Sequence, residues 1–491
     1  MVFSSLLFIC LFLPLNLAAY YIPKKNSSRN VIMLIFSLIF YAWGEPKYVL
    51  LLLFMTFACW FFAFAIEKSK ETKPKRAKIF LFLACFVALS LIGIFKYSTF
   101  IISNITALAN IDIQINPIPL PIGISFYTFQ LLTYVVDVYR GDAKAQKNYF
   151  NLLLYASLFH QCIAGPIVRY SDIDDEIMNR KPDMADFNKG VMRFSAGLAK
   201  KVLLSNQCGA FADTLVLGDT ALGNSQLLTQ NIGTLASGSA LTLWAGMLFY
   251  MLQIYLDFSA YSDMAIGMGQ MTGFHYKENF DYPYASSSVS EFWRRWHISL
   301  GSFFRDYVYI PLGGNRKGSV RTIINLFIVW ALTGLWHGAS WNFVLWGLYF
   351  FVFIALEKLF LSKLLKKLPS FVGHLYLLTV VFFGWVLFRF ENTEVMFTVL
   401  RGMFCLNANP FSTHEILVYL KDNFVFIIIA VLACTPVVKT AKDIINHYSK
   451  RNQTVNVIYS IYRAVIPAVL VIISAICLVG DSYNPFLYFR F

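Results

Sequence analysis

Two of the seven histidines stand where an imidazole could do chemistry. His297 follows a run of tryptophans and arginines in EFWRRWHISL, and His337 ends an apolar stretch in LTGLWHGASW. An imidazole titrates near cellular pH, so it can take the proton from a hydroxyl that attacks an acyl group. A histidine in an apolar segment can equally serve only to bond a backbone carbonyl, and the residues alone leave both interpretations open.

Charged side chains near His297 also admit two interpretations each. Asp306 could orient a histidine, or it could form an ion pair with Arg305 or Arg295. The cations at the flanks of this segment could bind the phosphates of a coenzyme, although lipid headgroups would attract them equally well. These cations are Arg294, Arg295, Arg316 and Lys317.

Polar residues also occur within apolar segments elsewhere. A stripe recurs at helical spacing, which would place its members on one helix face. Its members are Tyr127, Gln130, Tyr134 and Asp137. The stripe could line a reaction cavity, and a polar contact between helices explains it nearly as well. The carboxylates of Asp257 and Asp263 should face protein or water rather than lipid.

The cysteines give no sign of a metal site. All eight are scattered, mostly within apolar segments, and the sequence contains no CxxC or Cys/His cluster with the spacing of metal ligands. We therefore expect small buried hydrophobic cysteines and no bound metal.

The composition indicates that lipid is the solvent for much of the surface. Of the 491 residues 58% are hydrophobic and 14% are charged, and the mean hydropathy is +0.59, whereas a soluble chain carries about a quarter charged residues. The net charge of +14 does not indicate nucleic acid, because the cations form short runs between apolar segments, as cytoplasmic loops do. Anionic membrane lipids are the partners that such loops attract.

Apolar runs long enough to cross a bilayer, about 20 residues each, recur along the whole chain. The clear ones are Val2–Tyr21, Val49–Ile66, Ile79–Tyr97, Leu241–Tyr255, Ile323–Trp336, Phe343–Leu359, Leu375–Phe388, Phe424–Val438 and Ala464–Val479. Shorter or broken ones are Val31–Trp43, Ile122–Val138 and Leu152–Ile167. The sequence therefore predicts an all-α polytopic integral membrane protein with about a dozen tilted or re-entrant segments.

The order of charges predicts the orientation. Met1–Ile22 is followed by Lys24 and Lys25, the reverse of a cleavable signal peptide, so we interpret it as an uncleaved first helix. With the basic runs 68–78 and 439–451 in the cytoplasm, both termini lie outside and the number of complete crossings is even.

The chain shows no internal repeat and no linker, which predicts one integral domain over residues 1–491. Segment 278–321 is polar, aromatic and basic, and we place it at the cytoplasmic side, at the interface or in a protein-lined cavity. Its serines 286–288 can cap a helix that runs through Phe292 to Phe304. The tail, residues 481–491, should lie outside the cell.

Long motifs in a fixed order carry a family resemblance. They are EFWRRWHISLGSFFRDYVYIPLGGNRKG and LTGLWHGASWNFVLWG, with further matches at Pro121–Gly141, Ala164–Tyr170, Leu256–Gly269, Phe383–Asn392 and Ser482–Phe491. Together they resemble the membrane-bound O-acyltransferase family, and within it the bacterial branch that acetylates alginate and peptidoglycan.

The resemblance implies an O-acetyltransferase of the bacterial cytoplasmic (inner) membrane. Its donor would be cytoplasmic acetyl-coenzyme A, its acceptor an extracytoplasmic polysaccharide (peptidoglycan or alginate-like), and its partner a secreted SGNH-type acetyltransferase. His337 would be the base, and His297, at a position that is often Asn in the family, would orient the acyl carbonyl or assist the base. Supporting residues would be Asp306, Arg305, Tyr307, Trp336 and Gln130. We expect a ring of tilted helices around a thinned centre, with funnels from both faces meeting near His337.

The aromatic tail Pro485–Phe491 resembles the ending of the polysaccharide-acetylating relatives, and a small separate protein of the teichoic acid D-alanylation system has a comparable tail. This likeness implies that Tyr488 carries the acyl group to the outside. A phenol suits that task, because a pKa near 10 makes it a reachable nucleophile and afterwards a good leaving group. The alternative is an aromatic belt at the membrane interface.

Two other functions compete with this interpretation. A transporter of acyl or lipid-linked intermediates would show paired repeats, which the sequence lacks. An enzyme that acylates a lipid, a teichoic acid or a protein is opposed only by the motif likeness. The chain departs from its relatives at Phe159–Cys162, where FHQC replaces the usual FPQL, and we interpret His160 as a structural substitution.

Overall fold

The computed structural model describes residues 1–111, 118–223, 226–480 and 483–486. Throughout these ranges the regular structure is helical, and they contain no β-strand, which confirms the predicted all-α class. Tyr488 lies outside the described residues.

The described chain forms two compact units. Of the described residues, the first takes Met1–Ala196 and Tyr261–Asn279, and the second takes Gly197–Ala260 and the residues between 280 and 486. Two helices, α9 and α13, contribute residues to both units. The single domain over residues 1–491 stays a prediction.

The helices of the first unit begin with a π-helical turn at Phe8–Phe12, which leads into α1. They are α1 Leu13–Tyr21, α2 Asn26–Gly44, α3 Val49–Lys70, α4 Pro74–Ile92, α5 Ser98–Ala109, α6 Ile124–Arg140, α7 Tyr149–Ser157, α8 Tyr170–Asn179 and α9 Met184–Ala199. Helices α3, α4 and α6 pack against one another.

The second unit contains most of the remaining helices. They are α10 Asn206–Val216, α11 Asp219–Leu222, α12 Leu228–Ser237, α13 Ala240–Met271, α14 Val289–Arg295, α15 Ile298–Phe304, α16 Gly318–His337, α17 Trp341–Leu356, α18 Ser362–Leu365, α19 Ser370–Arg389, α20 Thr393–Met403, α21 His414–Asp422, α22 Phe424–Ala433, α23 Val437–Ser449 and α24 Gln453–Gly480. π-helical turns at Lys200–Ser205, Arg305–Tyr309 and Glu357–Leu361 adjoin α10, α15 and α17.

Within the described ranges, eight helices are long and apolar enough to cross a membrane, or nine if the bent pair α21 and α22 counts as one span. They are Asn26–Gly44, Pro46–Lys70, Pro74–Ala109, Ala240–Met271, Gly318–His337, Trp341–Leu365, Ser370–Arg389 and Gln453–Gly480. The chain is therefore a multi-pass membrane protein, as predicted.

Three of the predicted apolar segments are shorter than expected. The first apolar run is helical only over Phe8–Tyr21. The helix in Leu152–Ile167 ends at Ser157, and the buried chain beyond it bonds to side chains: the Tyr155 hydroxyl donates to the Val168 carbonyl (2.8 Å). The run Phe424–Val438 breaks after Ala433. Apolar composition predicted membrane-embedded segments at these places, but composition alone does not decide where a helix stops.

Candidate active site

Helix α14 holds the first histidine motif, and its N-terminus is tightly capped. The Ser288 hydroxyl accepts from the Glu291 amide (3.2 Å), and the Glu291 carboxylate accepts from the Ser287 amide (3.0 Å). The buried Glu357 carboxylate accepts from the amides of Val289 (2.6 Å) and Ser290 (2.8 Å). These bonds satisfy amides that a helix N-terminus leaves unpaired, so the predicted serine cap is confirmed and a second cap, from Glu357, is added.

The predicted continuous helix from Phe292 to Phe304 is wrong, because the chain turns at His297. This residue has left-handed backbone angles, φ 45° and ψ 55°, between α14 and α15. A residue with a Cβ rarely takes that conformation, and such strain concentrates at functional sites. Hydrophobic periodicity gives no signal for a left-handed break of one residue.

His297 lies in a closed, aromatic environment. Its side chain is almost fully buried (1% exposed), and its ring contacts Phe258 (4.7 Å between centroids) and Trp336 (5.8 Å). The Ser299 hydroxyl lies 3.4 Å from its Nδ1. His297 is outside the candidate spans; burial lowers its pKa, and the nearby His337 lowers that pKa further. The imidazole is therefore neutral at neutral pH.

His337 ends α16 and is held in one tautomer. Its Nδ1 lies 2.7 Å from the Thr333 carbonyl oxygen. Because a carbonyl can only accept, Nδ1 carries the proton and the lone pair resides on Nε2. The side chain is 3% exposed, and its ring contacts Trp336 (4.9 Å) and Trp346 (4.6 Å). Trp336 thus contacts both histidines.

Glycines allow α16 and α17 to cross closely beside His337. A Cβ on Gly334 would lie 2.5 Å from the Phe343 carbonyl oxygen, and one on Gly347 would overlap the Trp330 carbonyl. A Cβ on Gly338 would overlap the Phe343 ring. The three glycines of LTGLWHGASWNFVLWG therefore fix the helix crossing that positions His337.

An aromatic wall surrounds the histidines in the second unit. Trp293 packs edge-on against Trp346 (5.4 Å) and Trp330 (4.9 Å), and Trp296 contacts Trp385 (4.9 Å). A wall of large apolar rings excludes water and lowers the local dielectric, which strengthens hydrogen bonds made inside it.

The charged residues predicted to assist the site form ion pairs. The guanidinium of Arg305 binds Asp306 through two bonds (2.7 and 3.0 Å), which favours the ion-pair interpretation of Asp306. Arg295 pairs with Glu291 at 2.7 Å, and the Tyr307 ring stacks on Phe303 (5.3 Å). The other predicted phosphate-binding cations are exposed to the surroundings: Arg294, Arg316 and Lys317.

Gln130 belongs to a different compact unit from the two histidines. It is buried in α6 of the first unit, where its backbone carbonyl accepts from the hydroxyls of Thr133 (2.7 Å) and Tyr155 (3.3 Å). The other members of the polar stripe are buried on the same helix: Tyr127, Tyr134 and Asp137.

Both carboxylates noted in the sequence face protein, as predicted. Asp257 pairs with Lys201 at 2.7 Å in the second unit, and Asp263 pairs with Arg193 at 3.0 Å in the first. His160 is buried in the first unit, with its Nδ1 3.2 Å from the Tyr276 hydroxyl.

The cysteines only partly match the expectation of burial. Half of the eight are buried, namely Cys59, Cys162, Cys208 and Cys434. The exposed ones include Cys10 and Cys477, because the helix flanks that carry them are themselves apolar and exposed. The parts of the chain that the structure describes contain no group of three or more His, Cys, Asp or Glu residues able to hold a metal ion.

The sequence did not reveal the roles of two charged side chains in the second unit, those of Glu357 and Lys201. Glu357 lies in a lysine-rich stretch with no motif around it, and Lys201 pairs with Asp257 from 56 positions earlier. The available signal was the carboxylate of Asp257 within an apolar segment. It indicated that a partner was needed but not which residue the partner was.

Comparison with known proteins gives a consistent result. The sequence model of the membrane-bound O-acyltransferase family matches residues 145–399. The chain is 36% identical to the probable alginate O-acetylase of Pseudomonas putida, over 100% of both chains. It is 30% identical to the peptidoglycan O-acetyltransferase of Helicobacter pylori, over 83% of this chain and 80% of the relative. A more distant relative is the teichoic acid D-alanyltransferase of Bacillus subtilis, 27% identical over 60% and 70% of the two chains.

Proposed function

This chain belongs to the membrane-bound O-acyltransferase family, and on that premise we propose that it takes acetyl groups from cytoplasmic acetyl-coenzyme A for O-acetylation of an extracytoplasmic polysaccharide, peptidoglycan or alginate-like. Family membership makes it a multi-pass membrane acyltransferase. The choice of acetyl and of polysaccharide is supported by relatives that are named alginate O-acetylase and peptidoglycan O-acetyltransferase.

The bond from His337 Nδ1 to the Thr333 carbonyl is the observation that carries the proposal. With its proton on Nδ1, the imidazole takes the hydroxyl proton at Nε2 while the hydroxyl oxygen attacks the thioester carbonyl. The tetrahedral intermediate then collapses, the carbon–sulfur bond breaks, and the imidazolium returns its proton to the departing thiolate. General-base catalysis of this kind supplies about 10² to 10⁴-fold.

His297 would act on the acyl carbonyl. Its neutral imidazole can donate one hydrogen bond from a nitrogen to the oxygen that becomes negative in the tetrahedral intermediate. In a buried aromatic site such a donor contributes about 10² to 10³-fold. The contact of Trp336 with both rings supports a shared site for the two histidines.

The exposed cations of segment 278–321 are our candidates for the coenzyme phosphates. Arg294, Arg316 and Lys317 are exposed and positive, as a site for a highly charged soluble donor requires. Arg295, bound to Glu291, contributes less free charge.

We further propose that Tyr488 accepts the acetyl group first. Its phenol oxygen would attack the thioester with help from His337, forming a tyrosyl acetate and coenzyme A. A secreted SGNH-type partner would take the acetyl from that ester by attack of its own nucleophile, which releases the phenol. This arrangement requires a bacterial cytoplasmic membrane with both termini of the chain outside.

The test supplies labelled acetyl-coenzyme A to purified protein together with peptidoglycan or alginate and the secreted partner. Label on the C-terminal peptide, and then on one polysaccharide, is the expected result. Movement of label across a vesicle membrane without ester formation would instead identify a transporter. The matched variant Tyr488→Phe keeps the aromatic ring and removes only the hydroxyl. It should lose nearly all acetyl transfer. Normal acetylation by this variant would show that Tyr488 does not carry the acetyl group and that the tail is only a membrane anchor.

A further inference from the structure

The described part of the C-terminal tail binds along one helix in the second unit. The Tyr483 hydroxyl donates to Asp213 Oδ2 (2.6 Å), and Asn206 Nδ2 donates to Asn484 Oδ1 (3.2 Å). Lys201 Nζ donates to the Pro485 carbonyl. Three successive tail residues thus meet three polar positions in reverse order, so the tail runs antiparallel to the helix.

The spacing of the helix residues places them on one face. Lys201 lies in the π-helical turn Lys200–Ser205, which continues directly into α10. The five positions from Lys201 to Asn206 make about one turn of a π-helix, and the seven from Asn206 to Asp213 make about two turns of an α-helix. We call this face, formed by Lys201, Asn206, Gly209 and Asp213, the tail strip.

Gly209 leaves room for the tail in the middle of the strip. A Cβ at this position would lie 3.0 Å from the Tyr483 hydroxyl oxygen and would overlap the Gln253 side chain. A helix interior normally disfavours glycine relative to alanine by about 1 kcal/mol. The close approach of Gln253, and after it of the Tyr483 hydroxyl, explains a glycine at this position.

Two ion pairs fix the ends of the strip. Lys201 pairs with Asp257 at 2.7 Å, with side chains 3% and 1% exposed. Asp213 pairs through Oδ1 with Arg389 at 2.8 Å, and the Arg389 side chain is 1% exposed. Lys201 and Asp213 are each held by an ion pair with a residue outside the tail, so neither position depends on the tail alone. The tail therefore bonds to groups that are already ordered, which lowers the entropic cost of docking.

From these contacts we infer that the tail strip is a docking site that positions the C-terminal segment for the reaction, with Lys201, Asn206 and Asp213 as positioning residues. This inference rests on the proposed function of Tyr488. The tail proceeds from Asp213 toward Lys201 and thus toward Asp257, a buried residue of the candidate span Ala240–Met271. A chain of three residues extends at most about 10 Å.

The strip also divides the roles of the two tail tyrosines. The Tyr483 hydroxyl is bonded to the carboxylate of Asp213, which is itself bound to Arg389. A phenol used as a hydrogen-bond donor to a carboxylate serves as an anchor, and this leaves Tyr488 as the tyrosine that carries the acetyl group.

Cross-linking tests the docking without relying on activity. In a full-length background whose eight native cysteines are replaced, Asn206→Cys and Asn484→Cys should be joined by a short bifunctional thiol reagent in intact membranes. The control pair, Thr214→Cys with Asn484→Cys, uses an exposed position of the same helix and should not be joined. Absence of the first link, or equal linking of both pairs, overturns the inference.

Tyr483→Phe tests whether docking affects acetylation, because it removes one hydroxyl and leaves the Asp213–Arg389 pair intact. A hydrogen bond to a charged group corresponds to roughly tenfold or somewhat more in an equilibrium. We therefore expect Tyr483→Phe to lower acetylation of the tail by on the order of tenfold and to reduce the cross-link. Unchanged linking and unchanged acetylation in this variant would overturn a positioning role.

The cross-link in Tyr488→Phe separates this inference from the proposed function. A variant that links normally and acetylates nothing supports both ideas. Normal linking with normal acetylation retains the docking site and rejects the relay. A third outcome is that Tyr488→Phe loses acetyl transfer while the cysteines at positions 206 and 484 are never joined. That result would support the relay through Tyr488 and rule out the docking site.

Discussion

At the scale of single residues, the tautomer of His337 is set by its own helix. The last turn of a helix leaves carbonyl groups with spare hydrogen-bonding capacity, and the Thr333 carbonyl accepts from His337 Nδ1 at 2.7 Å. A carbonyl partner fixes the tautomer without adding the negative charge that a carboxylate would bring. The neutral imidazole in this tautomer has its lone pair on Nε2, which is the form a general base requires.

Replacing His337 with alanine should abolish acyl transfer and leave a folded, membrane-inserted protein. Loss of a general base lowers the rate by about 10² to 10⁴-fold. Acetylation of cell polysaccharide, normalised to the amount of protein in the membrane fraction, measures the effect. Near-normal acetylation by His337→Ala would show that His337 does not take part in the reaction.

His297→Ala should cause a similar but smaller loss, because an orienting group contributes less than a base. Alanine keeps a Cβ, so the left-handed backbone position at residue 297 stays strained and the substitution should not stabilise the protein by itself. The informative comparison is therefore transfer rate against thermal stability. A fall in both together would indicate that His297 is needed for folding instead.

Sequence reasoning found the residues with a chemical signature and missed those defined by geometry. His337 stood out because imidazoles are rare in apolar segments, and His297 stood out in its motif of tryptophans and arginines. Their part in the reaction stays a prediction. The left-handed turn at His297 and the cap from Glu357 have no local signature, since each depends on residues that come together only in the fold. For Asp306 the sequence left two interpretations open, and the ion pair with Arg305 favours one of them.

At the scale of elements, the crossing of α16 and α17 depends on Gly347. A Cβ there would overlap the Trp330 carbonyl and lie 3.0 Å from the Gly334 Cα. Because both atoms belong to backbone, the helices would have to separate. We expect Gly347→Ala to destabilise the protein by about 1–3 kcal/mol, the usual cost of overpacking, and to lower activity through displacement of Trp346.

Gly233→Ala is the matched control, because a Cβ at Gly233 in α12 meets nothing within 4 Å. It should leave stability unchanged or raise it by up to about 1 kcal/mol. Thermal unfolding in detergent compares the two variants. Equal behaviour of Gly347→Ala and Gly233→Ala would contradict the close crossing.

His275 links three elements of the first unit in a pH-dependent way. Its ring nitrogens lie 2.7 Å from Glu176 on α8 and 3.1 Å from Asp186 on α9, and Lys189 also pairs with Asp186. Burial alone would lower the pKa of His275, but the two carboxylates outweigh it and raise the pKa above its ordinary value.

A raised pKa stabilises the folded state below the unfolded value of about 6.5, and this contribution is lost as the pH rises through the folded pKa. The group is half exposed, so the effect on Tm should be only about 1–2 °C. His275→Gln should lack the loss of stability that the wild type shows as the pH rises above about 6.5. The same pH dependence in wild type and variant would show that His275 does not titrate in this way.

Apolar segments were predictable as elements, whereas their exact boundaries were not. Long uniform helices such as α3 and α24 follow directly from composition. The stop of α7 at Ser157 depends on Tyr155 bonding to the chain beyond it, and the break before α23 separates an apolar helix from an amphipathic one with lysines on one side. Both are decided by bonds and packing that a hydropathy pattern does not record.

At the scale of the whole molecule, the proposed reaction requires a donor from one side of the membrane and a partner on the other. A docked tail on the extracytoplasmic side and exposed cations on segment 278–321 are consistent with that division only if the chain has the predicted orientation. The tail strip, the coenzyme site and the relay through Tyr488 therefore all depend on the orientation of the chain in the membrane. That orientation can be measured without relying on any of them.

We predict that both termini lie outside and that the basic segment 68–78 lies inside, because cytoplasmic loops are enriched in lysine and arginine. Three single-cysteine reporters, each in a cysteine-free background, test this: two within the chain and one in a C-terminal tag. Thr72→Cys is exposed in the basic segment, and native Cys405, restored alone, is exposed in the connection between α20 and α21, which the same orientation places outside. A membrane-impermeant maleimide added to intact cells should label Cys405 and a C-terminal tag cysteine, and it should label the residue at position 72 only after permeabilisation.

Labelling of position 72 in intact cells, with protection of Cys405 and of the tag, would invert the topology. The tail would then be on the wrong side of the membrane to meet a secreted partner, and the relay through Tyr488 would have to be abandoned with it.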